Sequence, residues 1–429
     1  MPGKGDDAAT AEVRALLTKP ISADEAVQIA LLNNPGLKVR LAELHIAEAD
    51  LVQAGRLRNP GFAFTQLQKG SEITLEHTVT LDILGLLVIP LKVDLEARRF
   101  EQAQLGAAAD VLKLAMETRR AYFRAVAAQE SLAYFEKVKT AAETGAELAR
   151  RMAQVGNWSR LAQMREQLFY AEATGQFARA KQTAVVERER LTRMMGLWGS
   201  DIGFKLPERL PGLPPKAIER AEVEATAVRN RLEVQMARQE VAGMAKSIGL
   251  ARATRLVNVL DFGYRYNTSN EGPRQTGYEI NIQVPIFDWG DAKLARAEAS
   301  YRQAVNRTAE AAINARSEAR EAYQTYRTAF DIARHYRDEI LPLRNKISDE
   351  QLLRYNGMLI GVFELIADAR EQVECVRGYI DALRDYWIAE TDLQGALSGP
   401  IGAAMQEPAQ SPSMPAAIHN RQRPEEKQW

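Results

Sequence analysis

ITLEHTVTLDI, residues 73–83, is the stretch on which the reading of this chain turns. Ile73, Leu75, His77, Val79, Leu81 and Ile83 fall on one face, and Thr74, Glu76, Thr78, Thr80 and Asp82 on the other. That is the period-two pattern of a β-strand, with one face entirely polar. Just upstream, Phe62 and Phe64 alternate with small or polar residues, and Lys69-Gly70-Ser71 supplies a turn. The pattern predicts a β-hairpin over about 60–89.

The same device recurs. Phe262, Tyr264 and Tyr266 share a face, a turn runs through Asn270-Glu271-Gly272-Pro273, and the return strand sets Tyr278, Ile280, Ile282 and Val284 against Glu279, Asn281 and Gln283. This predicts a second hairpin over about 256–285. The match extends beyond the hairpins. Ala121-Tyr122 and Gly156 reappear 201 residues on as Ala322-Tyr323 and Gly357. Ala30, Leu37 and Pro90 fall on Ala225, Leu232 and Pro285 at an offset of 195. The chain is therefore a duplicated unit of long coiled-coil-like helices plus a β-hairpin, mainly α with a small β part. The first repeat spans 21–197 and the second 217–398, joined by a Pro/Gly-rich linker over 198–216. Residues 1–20 and the Pro/Gln/Glu-rich tail 399–429 read as disordered.

The helices come from their own signals. Ser22 followed by Glu25 is a capping box, and Asn34-Pro35 predicts a bend before Asn59-Pro60-Gly61 ends the segment. From about Leu91 to Gln154 there is no proline, and ~64 helical residues make a rod of about 95 Å. Apolar residues recur at three-and-four spacing (Leu112, Met116, Phe123, Val126, Ala133), so partner helices are implied. Gly156-Asn157 breaks the rod and a helix returns to about Leu197. In the second copy one helix spans about 217–254 and Pro285 opens another reaching about Tyr355. After Asn356-Gly357 a last helix ends near Leu397.

Composition excludes several classes. Lys+Arg and Asp+Glu are both 56, so no basic surplus points to nucleic acid. Cys375 is the only cysteine, which rules out an internal disulfide and a cysteine-rich metal site. His45, His77, His335 and His419 lack metal-ligand spacing and read as solvated or interfacial. No phosphate loop, HExxH or nucleophile elbow occurs, so no enzyme activity, cofactor or metal is expected. No apolar run reaches 18 residues, and MPGKGDDAAT lacks the regions of a secretory signal, which points to the cytosol or to a displaced start.

The strands pull the other way. Aromatic and branched side chains on one face, with Glu76, Asp82, Glu279 and Gln283 on the other, are what a strand between lipid and water carries. Phe62, Phe64, Tyr264, Tyr266, Ile280 and Ile282 are then lipid-facing, with Trp289 and Tyr264 candidate interfacial anchors. In lipid no sheet edge stays open, because each unpaired backbone group costs several kcal/mol. Four strands close no barrel, since small barrels need roughly eight. Identical chains must therefore pool their strands.

At this point the sequence resembles the TolC-like outer-membrane efflux proteins over roughly residues 21–398. EAVQIALLNNPGL (25–37) is similar to the family's opening, VPIFDWGDAKLARAEA (284–299) to its strand-to-helix junction, and YNGMLIGVFELIADAREQ (355–372) to its last helix turn. The first repeat departs from the pattern, with ILGLLVIPLKVDLEARR (83–99) where a polar junction is usual, leaving Gly85 or Pro90 as its junction. The resemblance implies a trimeric α-barrel/β-barrel conduit in the cell outer membrane that extends into the periplasm. It implies as partners a periplasmic adaptor protein, an inner-membrane pump and outer-membrane lipid. It places the helix turns Gly156-Asn157-Trp158-Ser159 and Gly357-Met358-Leu359-Ile360 at the periplasmic tip against the adaptor, and Glu364 and Asp368 at a cation-favouring constriction.

Two functions compete on these readings: a passive exit duct of an efflux or type I secretion system, and a coiled-coil scaffold. Lipid-type alternation at matching places in both repeats favours the duct. The adaptor itself is a poor match, since it needs many more short strands.

Overall fold

The computed structural model describes residues 4–253, 259–283, 287 and 289–398. The tail 399–429, and Val284 and Pro285 at the second junction, lie outside the described residues. Strands β1 (Gly61–Lys69), β2 (Glu72–Asp82), β3 (Leu260–Ser269) and β4 (Gln275–Ile282) form one antiparallel sheet in the order β1-β2-β3-β4. Each hairpin pairs internally, and β2 pairs with β3 across the two repeats.

Register aligns the alternation of all four strands. Phe62 faces Val79, Val79 faces Tyr264, and Tyr264 faces Tyr278. One residue along, Ala63, Thr78, Arg265 and Gly277 form the corresponding row on the opposite side. Side chains alternate between faces along a strand, so a matched register makes one whole face apolar and the other polar.

The helical part runs α1 (Lys4–Leu16), α2 (Ala23–Asn33), α3 (Pro35–Ala54), α4 (Ile83–Gln154) and α5 (Arg160–Met195) in the first half. The second half holds α6 (Val223–Asn230), α7 (Leu232–Ala253), α8 (Asp291–His335), α9 (Leu341–Asn356) and α10 (Val362–Leu397). The 72 residues of α4 would extend about 108 Å. Helix α4 packs along α5, and α8 and α9 along α10. The largest core cluster lies where α4, α5, α8 and α10 meet α2 and the 197–213 segment, around Tyr122, Val126, Leu191, Tyr326 and Tyr386.

Several sequence expectations need correction. Residues 1–20 are not all disordered: α1 forms, with Val13 buried in the main core, because α2 and the central helices give its apolar side somewhere to pack. The first hairpin ends at Asp82 rather than near 89. The Asp82 carboxylate caps α4, accepting from Gly85 N–H at 2.6 Å, so the helix starts before Pro90 and runs through it. A Cβ on Gly85 would meet that carboxylate at 2.2 Å, so a side chain there would require the Asp82 carboxylate to shift.

The repeat offset also shifts. Asn34 N–H donates to Ala30 O, and Arg231 N–H to Ala227 O, so the helix breaks match at 197, not 195. Ala30 and Ala227 are both fully buried, whereas Ala225 is exposed. The expected helix over 217–254 is accordingly two helices, α6 and α7. Helix α8 starts only at Asp291, and a π-turn at Tyr336–Ile340 precedes Pro342, so the expected single rod to Tyr355 is α8, a wide turn and α9.

The 198–216 segment is a belt rather than a loose linker. Phe204, Leu206, Leu210 and Leu213 are buried in the main core. Ile21 N–H donates to Lys205 O, Arg188 donates to Ile202 O and Phe204 O, and Leu210 N–H donates to Glu130. Trp387 Nε1 donates to Pro211 O at 2.9 Å, Arg337 to Leu213 O and, just past the segment, Ile218 N–H to the Tyr326 hydroxyl. Prolines suit such a strap because they donate no backbone hydrogen bond that burial would leave unmet.

Candidate functional site

The apolar side of the sheet is open to its surroundings. Phe62 is 68% exposed, Ile280 58% and Tyr278 78%, and Phe64, Tyr264 and Ile282 are similarly bare, with Tyr266 half-buried. An exposed apolar face of this extent marks an interaction site. His77 sits in that face between Phe64 and Tyr266, with ring centroids 5.2 and 6.1 Å away. The polar side carries Glu76, Thr78, Asp82, Asp261, Asn281 and an Arg265–Glu279 ion pair at 2.7 Å. Among the described residues, β1 and β4 each leave one edge unpaired. None of the described helices is long and apolar enough to cross a membrane.

The hairpin ends are locked to each other. Ser71 Oγ donates to Glu271 at 2.7 Å and Ser269 Oγ to Glu72 at 3.2 Å. Asn270 accepts from Ile73 N–H and donates to Ser71 O, each at 2.8 Å. These residues come from different repeats, so sequence spacing could not pair them. At the other end of the strands Trp289 is more than half exposed.

At the far end of the long helices the two turns differ. Gly156 takes the left-handed conformation at φ 78°, and Ser159 caps α5 by accepting from Ala162 N–H. Asn157 and Trp158 complete that turn, both donating their backbone N–H groups to Met152 O. In the second turn Gly357 is right-handed at φ −79°, and Met358 carries the positive φ of 58°. Although Gly357 matches Gly156 in the repeat, Met358 is therefore the left-handed residue of this turn. Gly357 N–H still donates to Leu353 O, closing the helix by one residue more before the chain reverses. Met358 and Leu359 project, at 93% and 77% exposure, while Ile360 is half-buried.

Glu364 and Asp368 are held in different ways. Gly361 N–H donates to the Glu364 carboxylate at 3.0 Å, so this exposed acid caps α10. Asp368 is buried. Its Oδ1 lies 2.7 Å from Arg344 Nη2, its Oδ2 accepts from Ser348 Oγ, and Arg344 also reaches Glu371 at 2.8 Å. Asp368 thus offers no free carboxylate to a constriction, because Arg344 on α9 claims it. Arg344 itself could have been suspected only from the helical register of two segments whose pairing the sequence leaves open.

A second buried acid links the hairpins. Glu166 on α5 meets Arg370 on α10 at 3.4 Å, and the Arg370 guanidinium stacks 4.4 Å from the Phe169 ring. Burial pushes the Glu166 carboxyl above its ordinary range, with Arg370 opposing. His45 and His335 lie beside Glu48 and Glu339 on helix surfaces, and Cys375 is half-buried on α10.

No protein-family model matches the sequence, and no curated protein matches it either. Solved structures do match in fold. A membrane protein from Pseudomonas aeruginosa has a TM-score of 0.74 at 20% identity, over 88% of this chain and 90% of that one. The transmembrane channel protein CusC matches at 0.73 and 16%, over 90% and 94%. The outer membrane protein VceC from Vibrio cholerae matches at 0.72 and 14%, over 88% and 96%. The architecture of long helices and a four-stranded sheet is thus a fold shared with these membrane proteins.

Proposed function

We propose that this chain, which has the outer-membrane channel fold, is the exit duct of a tripartite efflux or type I secretion system and works as a homotrimer. The observation that carries the reading is the sheet itself: one face apolar and bare, the other polar, and two edges left open. In lipid both open edges must be paired, and further copies of the chain supply the partner strands. Two copies would give eight strands, a barrel whose interior side chains fill. Three copies give twelve and leave a lumen, with Glu76, Arg265 and Glu279 facing water.

No step is chemical. The helices form a wall one layer thick, which accounts for a mean hydropathy of −0.31 alongside 46% hydrophobic residues. The exposed tips at Gly156–Ser159 and Gly357–Ile360 are the surfaces offered to a periplasmic adaptor, through which an inner-membrane pump delivers cargo. Glu364, exposed beside the second tip, is the acid available to a constriction there. The scaffold alternative has no use for a bare apolar sheet face.

The test is expression with a functional export signal, followed by membrane fractionation and planar-bilayer recording. Heat-modifiable trimers in the outer-membrane fraction, with stable conductance, are expected. A detergent-free soluble monomer would refute the proposal.

A further inference from the structure

Where the sheet meets the helices, a cavity of about 470 Å³ is lined, among the described residues, by Arg58, Lys92, Lys293 and Arg296 and by the acid Asp82. Asp82, at the cavity's edge, pairs in register with Asp261 on the polar side of the sheet, the side that would carry water in a closed barrel. The Asp82 carboxylate is already engaged, by Gly85 N–H and by Arg58 at 3.4 Å. Among the described residues neither Lys92 nor Arg296 forms an ion pair. Two cations without an ion-pair partner in one concavity create a positive potential there, which draws anions. The same cavity has an apolar wall of Leu84, Val88, Met244 and Leu250 from α4 and α7, with the Ser247 and Ser300 hydroxyls beside it. Charge on one side and hydrocarbon on the other suit a molecule built the same way.

We infer that this cavity is a binding site for amphipathic organic anions travelling through the conduit, such as carboxylates, sulfonates or phosphate esters on an apolar body. The inference rests on the duct reading above. Lys92 and Arg296 hold the anionic group, and the α4–α7 wall receives the apolar part. In three copies Lys92 and Arg296 recur around the ring, so the level just beneath the barrel favours anions.

The test uses the trimer in phosphatidylcholine nanodiscs, with empty nanodiscs subtracted. The probes are 8-anilino-1-naphthalenesulfonate and its uncharged isologue N-phenyl-1-naphthylamine, titrated by fluorescence. The sulfonate should bind about tenfold or more tightly than the neutral probe, a difference that added salt reduces. Lys92→Gln with Arg296→Gln should abolish that difference, and Lys92→Arg should keep it. Equal affinities in the wild type, or undiminished discrimination in the double variant, would overturn the assignment. Adding phosphatidylglycerol to the discs separates the sources of the anion. No change in sulfonate affinity supports a conduit site, whereas displacement by the lipid reassigns the cavity to phospholipid and overturns the proposal. Conductance of the same preparation is read independently: its absence sinks the duct reading, whatever the probes do.

Discussion

Arg344 on α9 and Asp368 on α10 meet at 2.7 Å, with 11% and 6% of their side chains exposed. They join the two helices of the second hairpin about three turns from its tip. Removing one partner of a buried pair strands the other charge, at about 3–5 kcal/mol. Asp368→Ala should therefore loosen this hairpin strongly, read as a lower Tm and faster proteolysis near 357. Arg344→Met with Asp368→Leu should recover most of the loss, since a packed apolar pair of similar volume replaces the ions. A double variant as unstable as the single would remove the pair from the account.

The tips offer a backbone test. Met358 holds a left-handed conformation that costs a residue with a Cβ about 1–2 kcal/mol, and its side chain is almost wholly exposed. Met358→Gly should raise the stability of the second hairpin by about 1 kcal/mol. Gly156→Ala, at φ 78° with no atom within 4 Å of the new Cβ, should lower that of the first by a similar amount from strain alone. Hydrogen exchange at each turn distinguishes the two effects.

Protons should stabilise the helical part over a defined range. Burial is the leading cause raising the carboxyls of Glu130, Glu166 and Glu390 above 4.5, so each binds a proton more readily folded than unfolded. Stability then falls as pH rises from 4.5 through the raised folded values, and recovers as pH drops back. Glu25 works oppositely: held down to about 2 by Lys19 and the Ser22 cap, it withdraws stability only below 4.5. A Tm that rises modestly from pH 7 to 5 is expected, and Glu130→Gln should flatten the rise. A flat wild-type profile would contradict this.

Adjacent residues on β4 should separate the faces of the sheet. Ile280→Lys puts a charge on the bare apolar face and should cost about 2–4 kcal/mol in a bilayer, seen as less folded trimer in membranes. Asn281→Lys, one residue on and facing the polar side, should insert normally. Equal insertion of both would show that neither face meets lipid.

Tyr336, at the π-turn, lies over Gly378 on α10. A Cβ there would meet the Tyr336 hydroxyl at 2.6 Å and its ring carbons at 2.9 Å. Gly378→Ala should cost about 1–3 kcal/mol by overpacking. Tyr336→Leu in the same chain should return most of it, measured by thermal melting of single and double variants.

How much of this was readable beforehand depends on the distance over which each feature is decided. The faces of β1 to β4, the Ser22 cap and the turn at Gly156 follow from side chains within a few residues of one another, where strand alternation and capping act. The exposed apolar set Phe62, Phe64, Tyr264, Ile280 and Ile282 was legible for that reason. Pro90 misled because a proline reads as a helix start, while the Asp82 cap, eight residues earlier, had already started it. The left-handed Met358 was not legible, because the residue that turns left-handed is set by how far α9 persists, which its packing on α10 controls.

The sequence alone determined that the chain is a duplicated helical unit whose strands have one apolar and one polar face, because those properties are local and periodic. Only the tertiary structure decided that Asp368 belongs to Arg344, that Glu166 belongs to Arg370, that 198–216 is a buried belt, and that Lys92 and Arg296 share a cavity. Each joins residues far apart in the chain. Their meeting depends on which helices pack and in what register, and that choice is made by the core as a whole.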